Sequence, residues 1–210
     1  MNMQTKILIR NTNSHKIRNS LFYLTAFLVS IFLCQFSYAK EIVINGSATL
    51  EDVALKSLTE NGSLTFNNLT IEDKLRVNGS VNGKKLKCKE FKINGGLDGK
   101  NIEATKGHVN GSLDATDIKV TEELTVNGQV LVKNGDLGSV VICGRDSKLI
   151  NSKIKDVFVK KGDGGVQVLE LGKKTVVSGD VVFESGEGKI YLSGSSEVLG
   201  DIKGATVIKK

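Results

Sequence analysis

The 210-residue chain contains no proline, no tryptophan and only two histidines. Without proline, nothing in the sequence removes a donor from a ladder of backbone hydrogen bonds, which suits a chain built of strands. Outside the first 39 residues the one histidine is His108, and no acid or nucleophile can be placed beside it for Ser-His-Asp chemistry. Aromatic residues are 5% of the chain, and six of them fall in the first 39 residues. A sugar-cleaving groove lined by aromatic side chains is therefore not predicted.

The net charge of the chain comes largely from its first segment. The chain has 29 basic and 23 acidic residues, a formal net charge of +6. Residues 1–39 hold four basic residues and no acidic ones, so the rest of the chain carries 25 against 23. This near-neutral remainder gives no electrostatic reason to expect a nucleic acid as partner.

Residues 1–39 have the pattern of a secretory signal peptide. Four basic residues precede a mostly apolar run at 21–36, and Ser37-Tyr38-Ala39 provides small residues at a cleavage site. The run is shorter than the roughly 20 residues of a membrane span. We therefore predict cleavage rather than an uncleaved anchor, with residues 40–210 as one exported domain that has no membrane span. Its predicted location is the periplasm, the cell surface or the medium. Lipidation of Cys34 is not expected, because Leu33 is larger than the residue that usually precedes a lipidated cysteine.

Asparagine–glycine pairs recur through the first half of the chain at almost constant spacing. Successive pairs lie 16, 17, 16, 16 and 17 residues apart. They are Asn45-Gly46, Asn61-Gly62, Asn78-Gly79, Asn94-Gly95, Asn110-Gly111 and Asn127-Gly128. A fixed period of this kind indicates one small unit that is copied and stacked.

Three consecutive units show what each copy contains. They are LRVNGSVNGKKLKCKE from Leu75, FKINGGLDGKNIEATK from Phe91 and GHVNGSLDATDIKVTEE from Gly107. Counted from these first residues, places 1, 3, 7, 9, 12 and 14 hold apolar or small residues, with Glu60 an exception at place 3. Places 1 and 3, 7 and 9, and 12 and 14 differ by two, the period of a strand with one buried face. The pattern predicts an all-β fold: a single-stranded, three-sided, right-handed parallel β-helix of about ten rungs, each of three short strands.

The Asn-Gly pair is predicted to mark one corner of each rung. Glycine, and after it asparagine, tolerates the positive φ of a sharp bend. An antiparallel hairpin turn uses the same dipeptide, but a hairpin meander need not keep three apolar pairs in one register for six copies. In a parallel coil the asparagines would stack about 4.8 Å apart and hydrogen-bond one another. The six pairs are therefore predicted to form a structural corner ladder.

The second half of the chain keeps the coil but loosens the motif. Asn134-Gly135 comes early and is predicted to form a turn at a second corner. The stretch Lys160 to Gly165 is the least regular and is predicted to form a loop. Glu51 to Leu58 could pass for a helix, but its apolar residues fit the strand places of the repeat. Ten rungs at about 4.8 Å each would give a rod roughly 45–50 Å long.

Cys88 and Cys143 are predicted to remain free thiols, although export would normally favour a disulfide. Cys88 falls at inward place 14 of the third rung, and Cys143 falls at a corner of the seventh. Four rungs span about 19 Å, whereas the Cα atoms of a disulfide lie within about 7 Å of each other.

The outward places supply the candidate binding residues. Place 2 holds Arg76, Lys92 and His108 on consecutive rungs, a basic stripe suited to an anionic glycan or phosphate. Place 8 holds Asp98 and Asp114, whose spacing is near that of the carboxylates of retaining glycosidases and could also suit a cation. In both cases an ordinary solvated face is the alternative.

Place 13 alternates in charge on three consecutive rungs, with Lys87, Glu103 and Lys119. Such a column is expected to pair neighbouring rungs rather than bind a ligand. No catalytic residue, cofactor or metal ligand is assigned, and the protein is not predicted to be an enzyme.

The ends of the predicted rod are a further candidate site. A terminal rung exposes unpaired backbone groups, and solenoids usually carry a cap, but no capping helix is evident in the sequence. Either the ends stack and the protein polymerises, or the charges of Lys209 and Lys210 prevent the pairing.

The repeats LRVNGSV, FKINGGL, LTVNGQV and VVSGDVV resemble the short triangular rungs of bactofilins, the polymer-forming β-helix proteins of bacteria, and of secreted adhesin-like β-helix domains. The resemblance covers about residues 41–208, is one of pattern, and implies a polymer-forming or adhesive protein. Bactofilins are cytoplasmic and often carry proline-rich tails, whereas this chain has a signal peptide pattern and no proline.

Together these features predict an exported bacterial structural or interaction protein. Its expected partner is a second copy, through the ends, or a polysaccharide of the cell envelope or surface. A binding module for anionic glycans is the alternative function, and a polysaccharide-active enzyme is a third.

Overall fold

The fold was analysed in a computed structural model that describes residues 6–10, 41–162 and 164–210. For residues 6–10 it describes the backbone only. The apolar run and the cleavage site of the predicted signal peptide lie outside the described residues, as does Asp163 in the predicted loop. Cleavage before Lys40 therefore stays a prediction.

The described chain consists of strands, turns and bends. In chain order the strands are β1 (Lys6–Arg10), β2 (Glu41–Asn45), β3 (Ser47–Leu55), β4 (Ser57–Asn61), β5 (Leu64–Val77), β6 (Val81–Ile93), β7 (Leu97–Val109), β8 (Leu113–Val126), β9 (Val130–Ile142), β10 (Asp146–Ile150), β11 (Lys153–Val159), β12 (Val168–Gly172), β13 (Val176–Val177), β14 (Val181–Phe183), β15 (Gly188–Leu192), β16 (Glu197–Val198), β17 (Ile202–Lys203) and β18 (Ala205–Lys209).

The strands coil into a β-solenoid of about ten turns of roughly 17 residues. Each residue lies against its equivalent one turn later: Val81 pairs with Leu97, Leu97 with Leu113, and Leu113 with Val130. From β2 onward every pairing is parallel, and β1 pairs antiparallel with Ser47 to Glu51 of β3. The all-β parallel coil predicted from the Asn-Gly period is confirmed.

The strands are longer than the sequence predicts in the regular half of the coil. β5 to β9 each run for 13 or 14 residues around all three sides of a turn. β5 to β8 end at an Asn-Gly corner, and β9 ends at the equivalent Cys143-Gly144. The prediction of three short strands per rung is wrong for these turns. At place 11 only the corner residue is left out of the pairing, since Lys84 pairs with Lys100 and Leu86 with Ile102. At the third corner the register shifts, for example between Val120 and Glu123.

The bend at place 11 uses left-handed backbone. Eight residues there have φ between 50° and 61°: Asp52, Asn68, Lys85, Asn101, Asp117, Asn134, Asn151 and Lys173. Asparagine and aspartate tolerate this region better than most residues because their short polar side chains bond locally. The sequence prediction recognised this second corner only at Asn134-Gly135.

Glycine at place 5 has a second role beside the one predicted. Three of the six glycines of the Asn-Gly pairs, Gly46, Gly111 and Gly128, have the predicted positive φ, and the other three do not. A Cβ on Gly62 would overlap the carbonyl of Gly46, and a Cβ on Gly79 would overlap the carbonyl of Gly62. The glycines stack directly on one another. The backbone of the neighbouring turn is so close that it leaves no space for a Cβ atom, and only glycine fits.

The solenoid interior is filled by one apolar column at each inward place. Leu75, Val77, Phe91 and Ile93 are fully buried. At place 1 a large residue in one turn is followed by a small residue in the next. Gly107 lies one turn after Phe91, and a Cβ on Gly107 would meet the Phe91 ring. This exchange of volume between turns keeps the interior close-packed.

The C-terminal turns are less regular, as the sequence predicts. Residues 160–162 and 164–167 form no strand between β11 and β12. Gln167 is buried at the base of this loop and donates to the carbonyls of Gly144 and Lys160, at 3.0 and 2.7 Å. The stretch Glu51 to Leu58, which could pass for a helix, forms the end of β3 and the start of β4.

Candidate functional site

The predicted asparagine ladder is present along the first corner. Each side-chain amide donates to the side-chain oxygen one turn earlier, at 2.7 or 2.8 Å, from Asn61 to Asn45 and onward to Asn127 and Asn110. Cys143 occupies the next position of the column. The ladder satisfies polar groups along a solvent-exposed corner, so it is a structural feature and not a ligand site.

A second ladder, which was not predicted from the sequence, runs along the place 11 corner. Asn68 donates to Asp52 at 2.7 Å, Asn134 to Asp117 at 2.8 Å and Asn151 to Asn134 at 2.8 Å. Asn or Asp recurs seven residues after five of the six Asn-Gly asparagines, with Lys85 as the exception, and this recurrence was the available signal.

The basic stripe lies on one face as predicted. Arg76 pairs in register with Lys92, and Lys92 with His108. Arg76 and Lys92 are exposed, and neither forms an ion pair within residues 41–162 and 164–210. His108 is half-buried, and its Nε2 lies 2.8 Å from Oδ1 of Asn110 in the corner ladder. Of the three residues of the stripe, two are cations without an ion pair in the described chain, and His108 is hydrogen-bonded to an asparagine of the corner ladder.

Charged residues beside the stripe pair with one another across turns. Lys74 Nζ lies 2.8 Å from Glu90 Oε2, and Lys106 Nζ lies 3.1 Å from Glu122 Oε2. On another side, Lys87 bonds Glu103 at 3.7 Å, as the place 13 pattern predicts, and Lys119 bonds Asp136 at 3.5 Å. These exposed pairs each contribute little to stability, on the order of 0–1 kcal/mol, but they hold most neighbouring cations away from a ligand.

Asp98 and Asp114 lie side by side in register on β7 and β8 and are exposed. Within the described residues, no group of three or more His, Cys, Asp or Glu side chains is placed to hold a metal ion. Nothing in the surroundings of the two carboxylates distinguishes a general acid from a nucleophile.

The concave features of the surface are shallow. A groove of about 410 Å³ follows the place 11 corner, where Lys85, Lys87 and Lys119 alternate with Glu103 and Asp117. A smaller hollow of about 300 Å³ is lined by Glu41, Ser57, Lys74 and Arg76, next to the basic stripe. Neither encloses a small molecule in the way that a typical ligand pocket does.

Both predicted free thiols are free in the structure. Cys88 is buried in the core, and burial, followed by the nearby charge of Glu90, raises the pKa of its thiol to about 12. A thiol with so high a pKa is a poor nucleophile at neutral pH, so Cys88 acts as a core residue. Cys143 is half-buried at the corner.

The C-terminal end of the solenoid is uncovered in the described chain. β18 pairs with β15, β17 with β14, and β16 with β13, each on one side only. Val207, at inward place 7, is 42% exposed because no further turn covers it, and Leu199 at the adjoining corner is 63% exposed. The last turn therefore presents both free backbone edges and apolar surface.

At the N-terminal end, one edge of β2 is unpaired in the described chain, and the outer edge of β3 pairs with β1. Among the described strands β2 pairs only with β4, and Val43 is 56% exposed. β1 belongs to the segment predicted as a signal peptide. Its pairing shows that the outer edge of β3 accepts another strand.

No protein-family model, curated protein or solved structure matches the chain. Among the described residues no helix is long and apolar enough to cross a membrane.

Proposed function

We propose that this protein is an exported structural protein that associates end to end, the C-terminal turn of one copy pairing with the N-terminal turn of the next. The uncovered C-terminal turn, with the inward-facing Val207 exposed, carries the proposal. Unpaired strand edges with exposed apolar residues are templates for another chain. The likeness of the repeats to polymer-forming bactofilins is in keeping with it.

The two ends match column by column. The last turn offers Ile202 at place 1, Val207 at place 7 and Val198 at place 14. The first turn offers apolar residues at the same three places: Ile42, Ala48 and Leu55. A second copy of the same chain is therefore the partner whose strand period and apolar columns fit this end.

Charge at the junction both helps and opposes the pairing. Lys210 follows β18 at place 10, where the first turn carries the exposed acid Glu51. Lys209, by contrast, stands at place 9, an apolar place that Leu50 fills in the first turn. Lys209 is thus the one residue of β18 expected to weaken the association.

The pairing needs the outer edge of β3. β1 occupies that edge at Ser47 to Glu51, so the proposal applies to the chain from which residues 1–39 have been removed. Association is expected in the exported protein, and intact mass establishes whether the segment is gone.

Substitutions on β18 test the proposal by sedimentation velocity. Val207→Lys should reduce the exported protein to single chains, because it buries a cation at the junction. Thr206→Lys, the outward neighbour, should leave association unchanged, and Lys209→Leu should strengthen it. A wild-type protein that sediments as one chain at every concentration would refute the proposal, as would equal association of the Val207 and Thr206 variants.

Anionic-glycan binding is a second candidate because Arg76 and Lys92 form no ion pair in the described part of the chain, whereas Lys74 and Lys106 beside them do. We expect weak binding to dextran sulfate, screened by salt above about 0.1 M, and none to uncharged dextran. The double variant Arg76→Gln/Lys92→Gln should lower the affinity at least tenfold. Lys87→Gln/Lys119→Gln, which removes the same charge from paired lysines, should change it less. Equal losses in the two variants would show that net charge, and not the stripe, is responsible.

A further inference from the structure

One carboxyl group is buried in the core with nothing to bond. Glu60 occupies place 3 of the second turn, between Ile44 and Val77 in the neighbouring turns. Its side chain is 0% exposed, and neither oxygen has a hydrogen-bond partner among the described residues. An ionised carboxylate in such surroundings is strongly unfavourable. Burial raises the pKa of Glu60 to about 7, so the covered side chain is mostly neutral below that pH.

No charge of the opposite sign stabilises this group. The charged residues on the strands packed around it belong to outward places of those strands: Glu41 on β2, Glu51 and Asp52 on β3, and Glu72, Asp73, Lys74 and Arg76 on β5. Glu41 accepts from the Thr59 hydroxyl at 2.6 Å, and Lys74 pairs with Glu90. Desolvation is therefore the cause of the raised pKa of Glu60, and exposure to water would relieve it.

A single thin strand covers Glu60 on the N-terminal side. β2 has five residues, pairs with β4 alone among the described strands, and has one buried residue, Ile44. Ile44 is the residue of β2 that lies against Glu60. Gly46, with φ 127°, follows the strand directly and provides a pivot. Side-chain bonds hold β2 near each end, from Thr59 to Glu41 and from Asn61 to Asn45.

We propose that β2 is a proton-controlled cover over Glu60, seated while Glu60 is neutral and lifted about Gly46 when Glu60 loses its proton. The inference goes beyond the proposed association and concerns single chains, because the proposed junction would cover β2. The covered state holds a proton that the lifted state releases between pH 4.5, the ordinary pKa of the group, and about 7. The cover is therefore most stable below this window, and its stability is lost as the pH rises through the window.

Amide hydrogen exchange across pH tests the cover in the Val207→Lys background, where β2 lies outside any junction, on protein recovered from cells that express the full chain. In this experiment wild type means that background with Glu60 intact. After correction for the intrinsic exchange rate, the opening constant of the β2 and β4 amides should rise roughly 70-fold between about pH 5 and pH 8. Glu60→Gln, which keeps the shape but cannot ionise, should abolish this rise. Glu60→Leu should abolish it and add protection at every pH, and Glu103→Gln, an exposed acid, should behave as wild type.

Three outcomes would overturn the cover. One is a rise of the same size in Glu60→Gln and Glu60→Leu. Another is a flat profile in the wild-type protein. The third is an equal rise in the amides of β6 and β7, because that would be opening of the whole coil. If Glu60→Gln does not fold, the comparison of Glu60→Leu with wild type decides the question alone.

Discussion

Phe91→Ala should lower the free energy of unfolding by about 3–5 kcal/mol, because a buried aromatic side chain lost from a close-packed core leaves a cavity. Phe91 is fully buried in the regular half of the coil. Phe158→Ala is the matched control, since Phe158 stands at outward place 2 and is half-buried. We expect it to cost about 1 kcal/mol. Denaturant midpoints measured by circular dichroism give the comparison.

The same site allows a sharper test through Gly107, which lies one turn above the ring. Gly107→Leu alone should be destabilising by about 1–3 kcal/mol through overpacking against Phe91. In the double variant Phe91→Ala/Gly107→Leu the new side chain enters the space left by the ring. A double-mutant cycle should therefore show a favourable coupling. Purely additive losses, or equal costs for Phe91→Ala and Phe158→Ala, would mean that the inward and outward places are wrongly assigned.

Gly95→Ser should cost about 2–4 kcal/mol, among the larger effects of a single substitution. A Cβ on Gly95 would overlap the carbonyl of Gly79, and the backbone of a stacked turn has no room to move away. The neighbouring glycine supplies the control. Gly96→Ser should be nearly neutral, within about 0.5 kcal/mol, because a Cβ there meets only the Ser112 hydroxyl, at 3.1 Å.

The contrast between Gly95 and Gly96 tests whether close stacking of the backbone is the reason that glycine is required at place 5. Both substitutions introduce the same side chain at adjacent positions, and place 6 already holds serine in other turns, at Ser63, Ser80 and Ser112. Thermal midpoints of the two variants are sufficient for the measurement. If both glycines tolerated serine, the close stacking of turns at the corner would be disproved.

The fold was predictable because two independent features of the sequence, the Asn-Gly pairs and the apolar pairs, repeat with the same period. The Asn-Gly spacing fixed the length of the turn, and the apolar pairs fixed which residues point inward. The asparagine ladder followed from stacking alone, since identical residues one turn apart must meet. What could not be predicted was the behaviour of the other corners. Place 11 holds Asn or Asp in most turns, but Lys85 and Lys173 adopt the same backbone conformation and interrupt the pattern.

The role of glycine at the Asn-Gly corner was predicted only in part, since three of the six glycines have the expected positive φ. A positive φ is the usual explanation of a corner glycine, and the distance to the next backbone becomes visible only when the turns are stacked. The exchange of volume between Phe91 and Gly107 is hidden in the same way, because it joins residues 16 positions apart.

The candidate sites were predictable as positions but not as partners. The alignment of Arg76, Lys92 and His108 follows from the period. The contact of His108 with Asn110, and the ion pairs of Lys74 and Lys106, depend on side-chain directions that the repeat does not encode. Glu60 was visible as an exception in an apolar column, but only the structure shows that its carboxyl group is fully covered and without a partner.

The length of the particles formed by the exported protein tests the central claim most directly. A single coil of ten turns is a rod of roughly 50 Å. Negative-stain microscopy of the protein without residues 1–39 should show end-joined rods whose lengths are multiples of that value. Val207→Lys should return them to single rods. A uniform population of single short rods in the wild-type protein, at its highest soluble concentration, would contradict the account.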